Sequence, residues 1–125
     1  MYENEISKII VNCCYNIHTK LGPGLFESVY EEILFYELTK LELSVSRQEI
    51  IPVIWDEIRM DLGFKSDLII ENKVIIELKS VEKLAPVHFK QLQTYLKLKD
   101  IKLGLLVNFN IPLIKDGIHR IVNGL

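Results

Sequence analysis

The segment from residue 67 to residue 79, DLIIENKVIIELK, most constrains the fold of this chain. Two runs rich in Ile, Leu and Val flank a short polar break, and both runs are too short to be helices. They predict two neighbouring β-strands. Asp67, Glu77 and Lys79 lie on these apolar strands, where their charges need compensating partners. A divalent cation shared by the two carboxylates would be such a partner, so the segment indicates a metal site.

The length of the loop between these strands decides whether the two acids can meet. With Asn72 and Lys73 alone as the loop, position 67 would face position 78, and Glu77 would point away from Asp67. With a three-residue loop from Glu71 to Lys73, position 67 lies opposite position 77, with the Cβ atoms about 5 Å apart. Position 79 then follows on the same face. The opposite face is lined by Leu68, Ile70, Ile76 and Leu78. We therefore predict the odd-length loop, with Asn72 or Lys73 in a left-handed conformation.

Apolar residues spaced three and four apart predict three amphipathic helices. The first covers residues 3–21, the second covers about 26–41, and the third begins at Pro86 and ends near residue 99. Their predicted buried residues are Ile6, Ile10, Cys13 and Ile17 on the first helix, Phe26, Val29, Ile33 and either Tyr36 or Leu38 on the second, and Ala85, Phe89, Leu92 and Leu96 on the third. The first two helices should pair as a helical hairpin.

The remaining apolar segments predict the strands of one sheet. Residues 45–55, the neighbourhood of Met60, and residues 65–70 and 74–78 form a meander of three or four strands. Residues 102–109 are a continuous apolar strand of the kind that is buried on both faces, and residues 117–122 are a short last segment. The order is α-α-β-β-β-α-β. This order predicts an α/β (α+β) fold with a single domain over residues 1–125.

Composition sets the class of protein. The chain has 125 residues, of which 49% are hydrophobic, enough for one core. No apolar stretch approaches the roughly 20 residues of a membrane span, and the acidic start MYENEI lacks the features of a secretory signal. We therefore expect a cytoplasmic protein in which Cys13 and Cys14 are reduced. The net charge of −2 provides no global basic field, so attraction to nucleic acid would need a local lysine patch or a metal ion.

Polar side chains share one face on each of two predicted helices, because residues three and four apart are neighbours on a helix. On the third helix these side chains are His88, Gln91 and Tyr95. On the second helix they are Glu27, Tyr30 and Glu31. Both faces could border a cleft, and a third carboxylate could then approach Asp67 and Glu77 from the second helix.

The chain resembles a known family at three motifs. Residues 24–30, GLFESVY, match the signature of the GxxExxY proteins, a group placed in the PD-(D/E)xK nuclease superfamily. Asp67 followed by Glu77-Leu78-Lys79 matches the core motif of that superfamily, and residues 91–95, QLQTY, resemble the QxxxY element of its recombination-nuclease branch. Residues 18–24 and 104–117 also look like this family, so the resemblance covers nearly the whole chain. One departure is Ser66, which stands where the superfamily has proline.

The resemblance implies a restriction-endonuclease-like core, a mixed β-sheet flanked by helices, and a metal-dependent nuclease, in particular a magnesium-dependent deoxyribonuclease. Asp67 and Glu77 would bind Mg²⁺ or Mn²⁺ through hard carboxylate oxygens, and Glu27 would supply a further ligand or hold a water. Lys79 would orient or deprotonate the attacking water. Gln91 and Tyr95 would position the phosphate or the Lys79 amine. The implied partner is nucleic acid, with DNA favoured, no membrane, and a homodimer left open.

Simpler interpretations of the same residues stay open. Asp67, Glu77 and Lys79 could form a surface ion cluster, and Glu27 could merely favour the N-terminus of its helix. Tyr30 and Tyr95 could be half-buried aromatic residues with satisfied hydroxyl groups. The chain could then be a catalytically weak or inactive nucleic-acid-binding module that keeps the nuclease fold, or an interaction protein whose ion cluster stabilises its sheet.

Overall fold

The structure, a computed structural model, describes residues 1–125. It contains three helices, α1 (Glu3–Leu21), α2 (Glu27–Lys40) and α3 (Pro86–Lys99). It contains seven strands, β1 (Val45–Ile50), β2 (Val53–Trp55), β3 (Ile58–Met60), β4 (Lys65–Ile70), β5 (Val74–Lys79), β6 (Leu103–Asn108) and β7 (Ile118–Val122), with a 3₁₀ turn at Ile114–Gly117. No helix has both the length and the apolar character that crossing a membrane requires.

Five strands form one mixed sheet in the order β1-β4-β5-β6-β7. All neighbours are antiparallel except β5 and β6, which are parallel because α3 carries the chain back between them. The result is the predicted α+β fold, a mixed sheet flanked by helices, consistent with a restriction-endonuclease-like fold. The predicted meander is wrong in one respect. Strands β2 and β3 leave the main sheet and pair only with each other, so β1 pairs with β4.

The sheet separates two cores. Helices α1 and α2 cover one face, where the central strands present Leu68, Ile70, Val74, Ile76 and Leu78. Helix α3 covers the other face, where Leu92, Tyr95 and Leu96 pack with Ile69, Ile75 and Leu106. The predicted buried residues of α1 are confirmed, and on α3 Leu92 and Leu96 are buried while Ala85 and Phe89 are only half-buried. Each fully buried leucine or isoleucine contributes about 1.5–3 kcal/mol to these cores.

Helix α2 presents a different face to the core from the one predicted. Tyr30, Leu34 and Leu38 are fully buried, whereas Phe26 is 81% exposed. Val29 and Tyr36 are exposed as well, so of the predicted residues only Leu38 is buried and Ile33 is half-buried. Apolar residues lie nearly all around this helix, so the periodicity did not select a face. Packing against α1 and the sheet instead buried Tyr30, Leu34 and Leu38, which lie four residues apart on one face of the helix.

The register of the β4–β5 hairpin agrees with the prediction. Leu68 pairs with Ile76 and Ile70 with Val74, so residues 71–73 form a three-residue loop. Glu71 and Asn72 are both left-handed, with φ of 53° and 54°, as predicted for Asn72. Glu71 tolerates this conformation because its amide donates to the carbonyl of Ser44 at 2.8 Å and its carboxylate accepts the Ser44 amide at 2.9 Å. Position 67 therefore lies opposite position 77.

Cys13 and Cys14 are free and buried on α1, as predicted. Burial raises the pKa of both thiols, with the charge of Glu37 adding to the effect at Cys13 and that of Cys13 at Cys14. Both side chains are therefore neutral at physiological pH and contribute to the core as small apolar groups.

Candidate active site

Asp67 and Glu77 interlock across the β4–β5 hairpin. The backbone pairing of these strands ends at Leu68 and Ile76, and side chains replace it beyond that point. The amide of Asp67 donates to Oε1 of Glu77 at 3.3 Å, and the amide of Leu78 donates to Oδ2 of Asp67 at 2.8 Å. Each carboxylate thus accepts a backbone amide, which fixes both acids side by side at the end of the paired region.

Glu77 is the buried acid of this pair, and its pKa is strongly shifted. Its pKa is raised to about 9, mainly by burial and in addition by the neighbouring charge of Asp67, while the charge of Lys79 opposes the effect. Glu77 is only 5% exposed, so its charged form is poorly solvated. In the absence of a cation Glu77 therefore retains its proton at neutral pH.

The donor atoms of the pair suit a hard divalent cation. Carboxylate oxygens are the ligands that Mg²⁺ and Mn²⁺ prefer, and a buried acid that must otherwise hold a proton is compensated by such an ion. Asp67 and Glu77 therefore fit a metal site by their chemistry. No three His, Cys, Asp or Glu side chains lie close enough together to hold an ion. No third side chain of these types therefore joins the two acids as a ligand.

Glu27 lies apart from this pair. It is exposed in the first turn of α2 and takes part in no group of three potential metal ligands. The N-terminus of α2 nevertheless adjoins the end of β5, because the hydroxyl of Ser80 donates to the carbonyl of Leu25 at 2.5 Å. The helix therefore presents Glu27 near the edge of the site and not at the two acids.

The Tyr30 side chain holds the turn that precedes Glu27. Its hydroxyl donates to the carbonyl of Gly22 at 2.6 Å and accepts the amide of Leu25 at 3.3 Å. Its ring stacks on Phe109, with the centroids 4.3 Å apart and the planes at 9°. Gly22 is left-handed within this turn, with φ of 67°. The tyrosine of the GLFESVY segment therefore holds the turn that delivers α2 to the end of β5.

Lys79 is half-buried at the end of β5, and β6 supports the segment that carries it. The carbonyl of Lys79 accepts the amide of Phe109 at 2.9 Å. The side-chain amide of Asn108 donates to the carbonyl of Val81 at 2.9 Å and accepts its amide at 3.1 Å. Sequence reasoning did not assign a role to Asn108, although an asparagine at the end of a buried apolar strand was a signal for one.

Tyr95, on α3, lies within electrostatic range of the two acids. It is nearly fully buried, and burial raises the pKa of its hydroxyl, with smaller contributions from the charges of Glu77 and Asp67. Helix α3 can approach the sheet closely because Gly104 lies under Leu92, where an added Cβ would come within 3.0 Å of the leucine. The close approach brings the Tyr95 hydroxyl near enough to the two carboxylates for their charges to raise its pKa.

Gln91 and His88, on the same helix, lie farther out. Gln91 lines a shallow cleft of about 330 Å³ with Phe64 and Lys90. Nδ1 of His88 accepts the amide of Ala85 at 3.1 Å, so this histidine caps the N-terminus of α3. None of the five surface cavities is lined by Asp67, Glu77 or Lys79.

A contact that the sequence did not predict joins Asp67 to α2. Nε2 of Gln48 donates to Oδ1 of Asp67 at 3.2 Å and to Oε1 of Glu31 at 2.7 Å. Arg47 pairs with Glu31 at 3.1 Å and with Glu32 at 2.8 Å. The sequence placed Glu31 on the face of α2 from which a carboxylate could approach, but it contained no signal that Gln48 would be the bridge.

Comparison of the sequence with family models gives one match that covers most of the chain. The family model described as the PD-(D/E)XK nuclease superfamily matches residues 4–121. Proteins of this superfamily are nucleases, act on nucleic acid and generally use divalent metal ions such as Mg²⁺. The searches of curated proteins and of solved structures found no significant match.

Proposed function

Because the chain belongs to the PD-(D/E)XK nuclease superfamily, we propose that it is a nuclease that hydrolyses phosphodiester bonds with a divalent ion held by Asp67 and Glu77. One observation carries the proposal. The two acids interlock across a hairpin of the required register, and burial raises the pKa of Glu77 to about 9. A buried acid with a raised pKa beside a second carboxylate is typical of a functional site and not of a surface ion pair.

The roles of the residues follow from where they lie. Asp67 and Glu77 would hold Mg²⁺ or Mn²⁺ through carboxylate oxygens. The bound ion would supply polarisation of the scissile phosphate and a more acidic water. Lys79, beside Glu77 on β5, orients the attacking water and neutralises charge that develops on the phosphate. Tyr95 positions the phosphate or the Lys79 amine, and Gln91 contacts the substrate from its cleft on α3.

We assign the chain more finely to the GxxExxY group, with DNA as the substrate. Support for the group comes from residues 24–30, in which Tyr30 holds the turn and Glu27 begins the helix beside β5. In this assignment Glu27 holds a water at the edge of the site. We take residues 1–125 as one nuclease domain.

Cleavage assays test the proposal directly. Purified protein is incubated with single-stranded and duplex DNA and RNA in Mg²⁺ or Mn²⁺, together with Asp67→Asn, Lys79→Ala and the control Lys115→Ala, which changes a lysine outside the site. We expect cleavage by the wild type and by the control, with a loss of at least 100-fold in the two site variants. Equal cleavage by Asp67→Asn would refute the assignment of the site.

The same assays separate the alternative function. Only two acids are gathered at the site, a small ligand set for an all-protein metal site. If two acids are too few to retain the ion, the chain would act as a nucleic-acid-binding module without cleavage. Binding of nucleic acid without cleavage under every metal condition would support that module, and absence of both binding and cleavage would support an interaction protein.

A further inference from the structure

We propose that Gln48 is a positioning residue that fixes the orientation of Asp67 by tying it to Glu31 on α2. The inference deepens the proposed function, because it concerns the same acid pair. It rests on three observations: the backbone conformation of Gln48, the two acceptors of its side chain, and the ion pairs that anchor Glu31.

The backbone of Gln48 is left-handed inside a β-strand, with φ of 48°. The pairing register runs unchanged across it, since Arg47 pairs with Leu68 and Glu49 with Ser66, so no residue is inserted. The left-handed conformation instead reverses the face of the sheet to which the following side chains point. Val45 packs in the core beneath α1 and α2, whereas Ile51 packs in the core beneath α3, although strict alternation would place both on one face.

Side chains on either side of Gln48 follow the same change. Arg47 points to α2, where it pairs with Glu31 at 3.1 Å. Glu49 points to α3, where it pairs with Lys99 at 2.6 Å. Gln48 therefore stands where the strand passes from one helix layer to the other. A glutamine has no intrinsic preference for this backbone conformation, and such conformations persist where surrounding contacts maintain them.

The side chain of Gln48 uses its amide group to join two acids. Nε2 carries two hydrogens, and it lies 2.7 Å from Oε1 of Glu31 and 3.2 Å from Oδ1 of Asp67. Glu31 is nearly buried and its other oxygen is held by Arg47, so it is a rigid anchor. Asp67 already accepts the amide of Leu78 at Oδ2. With both oxygens held, the Asp67 carboxylate keeps one orientation towards Glu77.

Gln48 itself is exposed, so it does not contribute by packing in a core. Its side-chain hydrogen bonds go to Glu31 and Asp67 alone. A residue that orients a metal-binding carboxylate in this way is expected to change metal affinity by about 10- to 100-fold when it is removed. The proposal therefore predicts a loss of metal affinity that is independent of fold stability.

Two substitutions separate positioning from folding. Gln48→Gly and Gln48→Asn both suit a left-handed backbone, and neither side chain can bridge the two acids. We expect the melting temperature to stay the same or rise, while Mn²⁺ affinity measured by calorimetry falls at least tenfold. Glu31→Gln should lower the affinity in the same direction. The matched control is Gln93→Ala, which removes a glutamine on the outer part of α3 and should leave the affinity unchanged.

A second measurement does not depend on metal or on activity. The ¹³C resonance of the Asp67 carboxyl group should shift in metal-free Gln48→Gly and Glu31→Gln, and should match the wild type in Gln93→Ala. An unchanged Asp67 resonance in Gln48→Gly, or wild-type Mn²⁺ affinity in that variant, overturns the positioning role. If instead the wild type and Asp67→Asn bind Mn²⁺ equally, the metal site fails, and the resonance alone decides the role of Gln48.

Discussion

The backbone amide of Asp67 donates to Oε1 of Glu77 across the β4–β5 hairpin, so one acid of the pair directly fixes the other. The bond exists because a three-residue loop sets position 67 opposite position 77. A change of one residue in the loop would turn one of the two acids to the opposite face of the sheet.

Deletion of Asn72 tests this dependence. The loop would keep only Glu71 and Lys73, so the strands must either shift register or strain the turn. We expect Mn²⁺ affinity to fall at least tenfold in calorimetric titration. The control Asn72→Gly keeps the loop length and suits the left-handed backbone at this position, so it should bind like the wild type. Wild-type affinity in the deletion variant would contradict the importance of the register.

The raised pKa of Glu77 makes the stability of the metal-free protein depend on pH. The folded protein retains the Glu77 proton up to a pKa of about 9, whereas the unfolded chain releases it above about 4.5. The free energy of unfolding should therefore decrease as pH rises between these values, by up to about 1.4 kcal/mol per pH unit. Urea denaturation in EDTA measures this slope. In Glu77→Gln the contribution disappears, and parallel curves for the two proteins would refute the prediction.

Divalent metal should stabilise the folded protein, and more strongly at high pH. The ion replaces the Glu77 proton, so binding is easier where that proton is weakly held. At a Mn²⁺ concentration about 100 times the dissociation constant, the gain is about 2.7 kcal/mol. Thermal unfolding with Mn²⁺ or EDTA at pH 6 and pH 8.5 measures it. Asp67→Asn should lose the gain at both pH values, and a gain that is larger at pH 6 would contradict the model of proton displacement.

Tyr30→Phe should weaken the turn before Glu27 without disturbing the core. The substitution removes the hydrogen bonds to Gly22 and Leu25 but keeps the stacking on Phe109. We expect a loss of about 1–2 kcal/mol in the free energy of unfolding. Tyr36→Phe is the matched control, because Tyr36 is exposed on the same helix and should change stability by less than about 0.5 kcal/mol. Equal effects of the two substitutions would exclude the proposed role of the Tyr30 hydroxyl.

Ser66→Ala should stabilise the protein. Ser66 is fully buried beside Asp67, and its hydroxyl has no hydrogen-bond partner. Removing an unsatisfied buried hydroxyl restores about 1 kcal/mol. Urea denaturation at a fixed pH measures the change, and a loss of stability would mean that the hydroxyl is hydrogen-bonded in solution.

Much of the fold followed from local patterns. The predicted bounds of α1 and β4 agree with the structure, and those of α3 and β5 agree within one residue, because each element has clear breaks and a clear period. The buried face of α2 did not follow, since apolar residues such as Phe26 and Val29 lie around it and only packing chose between them. The separate pairing of β2 with β3 was not predicted for a similar reason. A short apolar run does not indicate which strand it pairs with.

The sequence by itself determined the parts of the site that depend on local geometry. Strand period and loop length place Asp67, Glu77 and Lys79 together, and helical spacing places Gln91 one turn before Tyr95. Only the tertiary structure decided which helices reach the acids. It brought Tyr95 and, through Gln48, Glu31 to the pair, and it left Glu27 at the edge. The reason is that such contacts depend on how helices pack across the sheet and on one left-handed residue in β1, and neither leaves a periodic signal in the sequence.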